Sequence, residues 1–497
     1  HGDFDVDGIC ATTIVWDFLY RKLGADAYPI IPNRFTEGYG LSESTIRRAK
    51  ELGAGVIITV DCGIKDINLI KKHPEIQFII TDHHTYPTND LNKPQELTAD
   101  NLIGIVHPQD PESNYPFKDI CGAAVAWKFV SALNSTHGDN YDMDEYLFLV
   151  ALATVTDLMP LLDENRFIVK QALHNLNTKE KPLSIKSLLE VANNIENEIE
   201  AYHFGFVIGP RLNAAGRLED AIEAVKLMST QNEESSKNLA RKLNELNTKR
   251  QDITQELLNK AELQIENHSN ENLIFVYGED WPEGILGLIA GKLCEKYHKP
   301  VLAASINKDG NYVKGSARSI SKYNISSALK RSEKLLDRYG GHAQAAGFGL
   351  KLENLDAFIK SLQQDAKANI SLGDLVPITY VTKIITIAEL NNEFLNTVDL
   401  FKPFGFGNPK PLFAFSKLKI RNLKLVGKEK QHVQFWLEQG SDKINAIGFN
   451  MGESAAAFNL DEYIDVIGSP KLEEWNGNKT IKLFIHEFRK HDFNNFE

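Results

Sequence analysis

Residues 78–84 have the sequence Phe-Ile-Ile-Thr-Asp-His-His, and residues 56–61 have the sequence Val-Ile-Ile-Thr-Val-Asp. Each stretch contains a short, continuous apolar run rich in β-branched residues, which is typical of a buried strand in a parallel sheet. An acidic residue follows each run, at the point where the strands of an α/β sheet line a ligand crevice. The sequence therefore predicts an α/β domain with a parallel sheet over residues 1–170, with Asp61 and Asp82 in one site.

The rest of the chain is predicted to form three further regions. Residues 171–268 have a helical pattern, which ends in a long amphipathic connecting helix. Strand and helix signals alternate in residues 269–370 and indicate a second, smaller α/β domain. Five or so short strands with turn signals between them occupy residues 371–497, which favours a nucleic-acid-binding β-barrel of the OB type.

Composition narrows the class of protein. With 497 residues and 42% hydrophobic content, the chain is expected to form two to four globular domains, and no apolar run is long enough to cross a bilayer. The four cysteines form no C-x-x-C pair, which argues against a disulfide framework and a zinc site and favours a reducing cytoplasm. The net charge of −12 argues against a protein that coats nucleic acid, but a nuclease needs only local basic tracks. Because the chain starts inside a motif without an initiator Met, we expect residues upstream of His1.

Four short motifs in the first domain carry the same kind of chemistry. Carboxylate oxygens mixed with imidazole nitrogens suit Mn²⁺ or Mg²⁺, and crowded carboxylates repel one another unless cations neutralise them. Two divalent ions about 3.5–4 Å apart could then clamp a phosphoryl group. For any single motif the alternative is a helix cap or a solvated loop. The motifs, each expected at a strand end, are His1-Gly2-Asp3-Phe4-Asp5-Val6-Asp7, Asp61-Cys62-Gly63, Asp82-His83-His84 and Thr154-Val155-Thr156-Asp157.

The order of these motifs resembles that of the DHH phosphoesterase superfamily. Its members include family II pyrophosphatases, oligoribonucleases, cyclic-dinucleotide phosphodiesterases and RecJ-type exonucleases. The resemblance implies two divalent cations, Mn²⁺ or Mg²⁺, and six ligands to them. One ion would be held by His1 and Asp5, the other by Asp7 and His83, with Asp61 and Asp157 bridging or serving both.

The same resemblance assigns roles beyond metal binding. It implies that His84 contacts the scissile phosphate, so that His84, Asp157 and Asp61 are the candidate catalytic residues. Asp82 would orient a histidine from outside the metal shell. Asp3 would be a structural or outer-sphere residue.

A glycine-rich stretch around His342 also resembles a sequence of this superfamily. Residues 338–348 contain the pattern G-G-H-x-x-A-A-G, which resembles the DHHA1 domain of the same superfamily. There the stretch closes over the substrate phosphate, since glycines permit close backbone approach and a His can grip an anion. The alternative is a helix C-cap followed by a tightly packed helix of small residues.

Further segments resemble the RecJ-type members, so the likeness covers essentially the whole chain. It implies a 5′-phosphate pocket built from Arg34, Ser316 and Arg318, because arginine grips phosphate oxygens in a bidentate fork. Arg34 could instead make a surface salt bridge, and Ser316 a turn hydrogen bond. Arg211 and Arg217 would lie along the strand path. One departure is His107-Pro108, where the family often has Asn-Pro. The segments are residues 32–40, 209–217, 284–287, 315–319 and 403–409.

A track for single-stranded DNA is predicted in the β-domain. Between Lys410 and His432 there are seven Lys or Arg and one acid, and the basic residues of 417–421 alternate with apolar ones. Such a face is also typical of a solvated edge strand. Phe435, Trp436 and Trp475 would be available to stack on bases if they are exposed.

These patterns favour one function and leave two others open. The leading hypothesis is a single-stranded-DNA-specific 5′→3′ exonuclease that hydrolyses phosphodiester bonds by a two-metal-ion mechanism and releases 5′-mononucleotides in recombination and repair. The family expectation adds a single-strand-binding protein and a helicase as partners, with a monomeric enzyme away from membranes. The alternatives are an oligonucleotide or cyclic-dinucleotide phosphodiesterase and a catalytically inactive DNA-binding scaffold.

Overall fold

The computed structural model describes residues 1–88, 93–138, 140–194, 198–266, 271–475 and 478–492. The chain divides into two compact units, His1–Pro377 and Ile378–Glu497. Each unit has its own buried apolar clusters. No helix in the described ranges is both long and apolar enough to span a membrane. The finer limits at residues 170, 268 and 370 stay predictions.

The first domain is built on a three-stranded parallel sheet, as predicted. Its order is β1-β2-β3, and the backbone of His1 extends the sheet beside β1. The backbone nitrogen of His1 donates to Ile58 and its carbonyl accepts from Val60, so the first motif enters next to the end of β1. The elements in this domain are α1 (Val6–Asp17), α2 (Glu43–Glu51), β1 (Val56–Val60), α3 (Ile67–Ile70), β2 (Gln77–Thr81), β3 (Leu102–Val106), α4 (Gly122–His137) and α5 (Leu147–Thr156).

The strand end predicted before Asp157 is wrong. Asp157 is the C-cap of α5, a helix in which seven of the ten residues are buried. A continuous apolar run does not distinguish a buried strand from a buried helix by its periodicity, and length has to decide between them. The run that starts at Leu147 gives a helix of 10 residues, which is longer than a typical strand.

A helical region follows and contains the predicted connecting helix. α10 has 33 residues and starts at the N-cap Asn232, whose side chain accepts from the backbone amide of Ser235. A wider helical turn, His203–Ile208, leads directly into α8. The helices are α6 (Asp163–Thr178), α7 (Leu183–Val191), α8 (Gly209–Leu218), α9 (Ile222–Ser229) and α10 (Glu233–Ile265).

The second α/β domain has a mixed five-stranded sheet in the order β4-β5-β6-β8-β7. β4 and β5 are parallel, and the other neighbours are antiparallel. The glycine-rich stretch forms the hairpin β7–β8, so the alternative of a small-residue helix is wrong. The elements are β4 (Ile274–Glu279), α11 (Glu283–Tyr297), β5 (Val301–Ile306), β6 (Tyr312–Arg318), α12 (Ile325–Arg331), β7 (Arg338–His342), β8 (Ala345–Lys351) and α13 (Leu355–Asn369).

The second unit is a closed five-stranded barrel, which confirms the OB-type prediction. The strands pair in the order β10-β11-β12-β14-β13, and β13 returns to β10, while β9 adds to β10 in parallel. The sequence also predicts a hairpin turn over Asn476-Gly477-Asn478, and residues 476 and 477 of this turn lie outside the described residues. The elements are β9 (Lys383–Ile384), α14 (Asn392–Asp399), β10 (Phe413–Val426), β11 (His432–Gln439), β12 (Asp442–Gly448), α15 (Gly452–Ala455), β13 (Tyr463–Trp475) and β14 (Asn478–Lys490).

Candidate metal centre and phosphate cavity

Carboxylates and imidazoles from all four motifs converge at the carboxyl edge of the first sheet. In each of three overlapping groups, one ligand atom per residue lies within 4.8 Å of the others. The groups are Asp3, Asp5 and Asp61; Asp7, His83 and Asp157; and Asp61, His83 and His84.

His83 lies at the centre of this cluster. Its Nε2 is 3.1 Å from Oδ1 of Asp61, 3.5 Å from Oδ2 of Asp7 and 3.7 Å from Oδ2 of Asp157. These four residues come from four separate segments of the chain, and the structure brings them together as the resemblance implies. Asp61 belongs to two of the three groups, which places it between two candidate ion positions.

Local structure explains why these side chains point into one site. Asp5 is the N-cap of α1 and accepts from the amide of Gly8, so the first turn of α1 carries Asp7 inward. The carboxylate of Asp7 accepts from the amides of Gly122 and Ala123 at 2.6 Å each. Those amides open α4, where the helix N-terminus favours a negative charge. Asp7 is therefore held by two helix ends.

Asp61 has a backbone conformation that its neighbours impose. Its φ of +60° lies in the left-handed region, which costs a residue other than glycine about 1–2 kcal/mol. A Cβ at Gly122 would lie 2.5 Å from Oδ1 of Asp61, so only glycine leaves room for the carboxylate. A strained backbone of this kind is typical of functional sites.

The electrostatics of the cluster require positive charge. Burial, together with the neighbouring carboxylates, raises the pKa of Asp3 and Asp61 well above the usual range and that of Asp157 to about 9. Oδ1 of Asp3, Oδ1 of Asp61 and Nδ1 of His1 are buried and have no hydrogen-bond partner among the described residues. Hard oxygen donors with unsatisfied lone pairs and one or two imidazoles fit divalent cations such as Mn²⁺ or Mg²⁺.

Asp3, for which the sequence resemblance implies a structural or outer-sphere role, lies among the candidate metal ligands. It lies with Asp5 and Asp61 in one group, whereas His1 belongs to none of the three. Nε2 of His1 is 3.1 Å from the carbonyl of Gly40 and its Nδ1 is the buried atom without a partner. The assignment of His1 as a ligand stays a prediction. The signal for Asp3 was its place in a run of three aspartates at alternate positions.

The Asp82-His83-His84 turn is held by hydrogen bonds to Asp82. This carboxylate accepts from the amides of Ile64, His83 and His84 and from Nδ1 of His84, the last at 2.8 Å. Burial opposes ionisation of Asp82, but the bonds with His84 prevail and lower its pKa to about 2. Since a carboxylate only accepts, Nδ1 of His84 carries the proton. Asp82 therefore contacts His84 in the way that its predicted orienting role requires, and the role itself stays a prediction.

The residues predicted to bind a 5′-phosphate line one cavity of about 450 Å³. Arg34 comes from the first domain, and Ser316 and Arg318 from β6, with Nη1 of Arg318 3.4 Å from Oγ of Ser316. The guanidinium of Arg34 lies 4.7 Å from the ring centre of Phe4, which stands between Asp3 and Asp5 in the chain. The cavity therefore adjoins the metal cluster.

The cavity is strongly basic. Its described lining includes Arg217, Lys314 and Arg338 in addition to the two predicted arginines, against a single acid, Glu283. Burial and the nearby arginines lower the pKa of Arg217 to about 10. Crowded cations with little carboxylate compensation favour an anionic ligand.

Two predicted residues lie elsewhere. His342 is exposed at the end of β7 and is not among the described residues lining the cavity, to which the hairpin contributes Arg338, Tyr339 and Gly340 instead. Arg211 donates to the carbonyl of Val207 and to Oδ1 of Asn244. Contact of His342 or Arg211 with the substrate stays a prediction.

The basic face of the barrel is more neutral than the sequence indicates. Arg421 pairs with Glu438 and Asp461, and Nζ of Lys419 is 3.1 Å from Asp461. Lys417, Lys419 and Arg421 still line a cavity of about 370 Å³.

The aromatic residues proposed for stacking on this face differ in exposure. Phe435 is fully buried, so its predicted stacking role is wrong, because inward positions of a small barrel form the core. Trp436, on the opposite face of β11, is 45% exposed. The side chain of Trp475 lies outside the described residues.

Comparison with known proteins gives the family. Family models match residues 1–154 (DHH family, N-terminal domain), 270–368 (DHHA1 domain) and 383–487 (RecJ OB domain). The chain is 31% identical to the single-stranded-DNA-specific exonuclease RecJ of Haemophilus influenzae, over 97% of this chain and 86% of that protein. The chain belongs to the RecJ family. The RecJ of Bacillus subtilis is 32% identical over 98% of this chain, which spans 60% of that protein's length.

Solved structures of the RecJ family agree with this assignment and with the fold. RecJ from Thermus thermophilus in complex with Mn²⁺ superposes with a TM-score of 0.83 at 27% identity, over 99% of this chain and 68% of that one. An exonuclease RecJ bound to manganese gives a TM-score of 0.61 at 31% identity, over 76% of this chain and 92% of that one. The predicted DHH, DHHA1 and OB architecture is therefore confirmed.

Proposed function

We propose that this RecJ-family chain is a metal-dependent exonuclease that degrades single-stranded DNA from its 5′ end and releases 5′-mononucleotides. The observation that carries the proposal is the adjacency of two sites. A cluster of carboxylates and imidazoles lies beside a basic cavity, with Phe4 as the link between them. A cavity that binds the terminal phosphate next to a hydrolytic centre would set the direction in which the strand is degraded. The distance between the two sites would set the size of the product.

Two divalent cations bound to the cluster would activate water and stabilise the charge that develops on the phosphoryl group. The residues that would hold them are His1, Asp3, Asp5, Asp7, Asp61, His83 and Asp157. The backbone amides at the start of α4 hold Asp7 in place. Nε2 of His83 lies near the carboxylates of Asp7, Asp61 and Asp157.

The remaining residues bind and orient the strand. Arg34, Ser316 and Arg318 would hold the 5′-phosphate, while Arg217 adds charge to the same cavity. His84, fixed through Nδ1 by Asp82, would present Nε2 to the scissile phosphate. Burial alone would lower the pKa of His84, but Asp82 prevails and raises it, which favours the imidazolium form that a phosphate prefers.

Selection for single strands would be steric, with the strand in a channel between the two α/β domains that is too narrow for a duplex. The basic cavity is lined by Arg34 of the first domain together with Ser316 and Arg318 of the second. The barrel would contact the strand through the face that contains Lys417, Lys419 and Arg421 and through the exposed ring of Trp436. RecJ relatives carry the name of single-stranded-DNA-specific exonucleases, which supports this substrate. We place the enzyme in the bacterial cytoplasm as a monomer that acts in recombination and repair, with a single-strand-binding protein and a helicase as partners.

The first test compares a long single strand carrying a 5′-phosphate with the same strand blocked at its 5′ end. With Mn²⁺ present, we expect stepwise release of 5′-mononucleotides from the phosphorylated strand and little release from the blocked one. Equal degradation of both strands, or release from the 3′ end, would contradict the proposed polarity. Preferential hydrolysis of a cyclic dinucleotide would favour the phosphodiesterase alternative.

Substitution of Asp61 distinguishes the exonuclease hypothesis from the hypothesis of a catalytically inactive scaffold. Because metal ions contribute several kcal/mol to phosphoryl transfer, Asp61→Ala should lower kcat by a factor of about a thousand or more. Binding of Mn²⁺, measured by calorimetry, should weaken in parallel. Asp252→Ala, at an exposed position of α10, is the control and should change neither quantity. A parent protein with no Mn²⁺-dependent activity would support the scaffold.

A further inference from the structure

Two exposed aromatic rings form a stack on the helical segment that leads into α8. Tyr202 is 59% exposed and Phe206 is 70% exposed, although both belong to the largest unit of the protein. Their ring centres are 5.0 Å apart and the planes are inclined by 19°. Large aromatic side chains that remain in water and already lie parallel offer a flat apolar surface of the shape that a planar ligand needs.

The stack is anchored beside the candidate metal centre. The segment packs closely on the last turn of α5: a Cβ at Gly205 would lie 3.6 Å from a methyl group of Val155, and one at Gly209 would lie 2.5 Å from Cγ2 of Thr156. The next residue along α5 is Asp157, whose Oδ2 is 3.7 Å from His83. The aromatic pair therefore stands next to the turn that carries a candidate metal ligand.

The turn after Asp157 exposes another apolar side chain. Leu158 has a φ of +56°, which is rare for a bulky residue, and its side chain is 66% exposed. Its amide bonds to the carbonyl of Val155, the residue that contacts Gly205. Strained backbone that exposes a leucine beside an active site indicates a contact surface rather than a packing need.

The other end of the same helix enters the phosphate cavity. A Cβ at Gly216 would lie 2.4 Å from the carbonyl of Phe4, and Arg217 lines the cavity with Arg34. From Phe206 to Arg217 the helix is roughly 16 Å long, at about 1.5 Å per residue. The helical segment from Phe206 to Arg217, which includes α8, thus joins the aromatic stack to the terminal-phosphate site and packs on the last turn of α5 in between. Its length matches a few nucleotides of an extended strand.

We propose that Tyr202 and Phe206 form a stacking platform for bases that lie a few nucleotides to the 3′ side of the scissile bond. The proposal rests on the proposed function, which puts the 5′-phosphate in the cavity that contains Arg217. With the 5′ end there and hydrolysis at the metal cluster, the strand leaves toward the stack. Every base has a flat face, so stacking would hold the strand without reading its sequence.

Charge favours a nucleic acid over an apolar peptide as the occupant of this surface. The guanidinium of Arg211 donates to the carbonyl of Val207, the residue next to Phe206. A cation beside an aromatic platform is the combination that holds single strands, with the rings under the bases and the charge at the backbone. A protein partner at this surface is an outcome that the experiment distinguishes.

The kinetic test uses substrate length. Phe206→Ala and Tyr202→Ala should raise KM for a long 5′-phosphorylated single strand by roughly tenfold. The value of kcat for this strand should be nearly unchanged. KM and kcat for a 5′-phosphorylated dinucleotide should match those of the parent protein, since a dinucleotide ends before the platform. Phe206→Trp should restore the low KM for the long strand. Equal changes for long and short substrates, or no change for the long one, would overturn the proposal and, in the second case, favour a protein partner.

The chain offers a closely matched control. Tyr20 is 51% exposed, stacks on Trp16 at 5.2 Å with an inclination of 11°, and also lies in a wider helical turn, Phe18–Lys22. It follows the end of α1 that is remote from Asp5 and Asp7. Tyr20→Ala removes an equivalent exposed stack and should leave KM for the long strand unchanged.

A binding measurement separates this inference from the proposed function. Single strands carrying 2-aminopurine at successive positions are bound to the protein without Mn²⁺ or Mg²⁺, so that no hydrolysis occurs. Stacking should quench the fluorescence at positions a few nucleotides from the 5′ end, and Phe206→Ala should remove this quenching. If the parent protein quenches but does not hydrolyse DNA with Mn²⁺, the exonuclease proposal fails and the platform stands. If it hydrolyses DNA and Phe206→Ala leaves the quenching intact, the platform proposal fails alone.

Discussion

His107 shows how one residue outside the metal cluster can position the residues inside it. Its Nε2 donates to the carbonyl of His84 at 2.8 Å, and its Nδ1 accepts from the amide of Gln109 at 3.0 Å. The side chain is 5% exposed, and burial lowers its pKa, which keeps the ring neutral and in one tautomer. The backbone of the Asp82-His83-His84 turn is thereby fixed by His107 as well as by Asp82.

Substitution of His107 tests this positioning role. Asparagine has one donor and one acceptor at the same end of its side chain, and the sequence resemblance places Asn at this position in many relatives. His107→Ala should lower kcat/KM for single-stranded DNA by about 10- to 100-fold, as expected when an outer partner of a metal site is lost. His107→Asn should recover most of the loss. Steady-state kinetics with Mn²⁺ check both, and an active alanine variant with normal Mn²⁺ affinity would contradict the role.

Among the secondary-structure elements, α4 shows how a helix end can build the site. Its first two amides bind Asp7, and its first residue, Gly122, leaves space for Asp61. The start of one helix thus places two candidate ligands that are far apart in the sequence. A helix N-terminus carries a partial positive charge, which also offsets part of the repulsion between these carboxylates.

Gly122→Ala should damage the site more than the fold. A Cβ would lie 2.5 Å from Oδ1 of Asp61, so the carboxylate must move, and we expect Mn²⁺ affinity and kcat to fall by about tenfold or more. Gly291→Ala in α11 is the control, because no atom lies within 4 Å of its Cβ position. That change should leave activity unaltered and stabilise the protein by about 0.5–1 kcal/mol, since alanine favours helices over glycine. Calorimetry with Mn²⁺ and thermal unfolding measure both effects. Equal loss of activity in the two variants would refute the steric argument.

Over the whole molecule, the metal cluster and the barrel belong to different compact units. All candidate ligands lie in His1–Pro377, whereas the core of the barrel is formed by residues of Ile378–Glu497. A ligand that binds only the native state stabilises the part of the structure that forms its site. Metal binding should therefore stabilise the first unit, His1–Pro377, and leave the stability of the second unit unchanged.

Hydrogen–deuterium exchange tests this prediction, because it measures the free energy of opening separately for segments of each unit. At a Mn²⁺ concentration of about a hundred times Kd, the free energy of opening of the first unit should rise by about 2.7 kcal/mol. The strands of the second unit should exchange as they do without the metal. Asp61→Ala should abolish the protection without changing exchange in the barrel. Uniform protection of both units by Mn²⁺ would show that they open together.

Much of the architecture was predictable because its causes are local. The β-branched runs before Asp61 and Asp82 form strands whose ends lie at one sheet edge, and the periodic leucines of α10 form a helix of 33 residues. Such patterns depend on the side chains of one segment and the period of its backbone. Residue chemistry likewise indicated oxygen and imidazole ligands for divalent cations.

Other features depend on contacts between distant segments, and only the tertiary structure decided them. Asp3 rather than His1 lies in the first ligand group, Arg421 of the barrel is paired with acids, and Phe206 lies in water beside α5. Periodicity does not tell which side of a helix meets a neighbour, nor whether a cation has an acidic partner. The sequence by itself determined most of the elements and the chemistry they carry, whereas the run before Asp157 is a helix and not the expected strand. The convergence of those groups required packing, because a few ångströms between side chains from remote segments depend on the whole set of contacts between them.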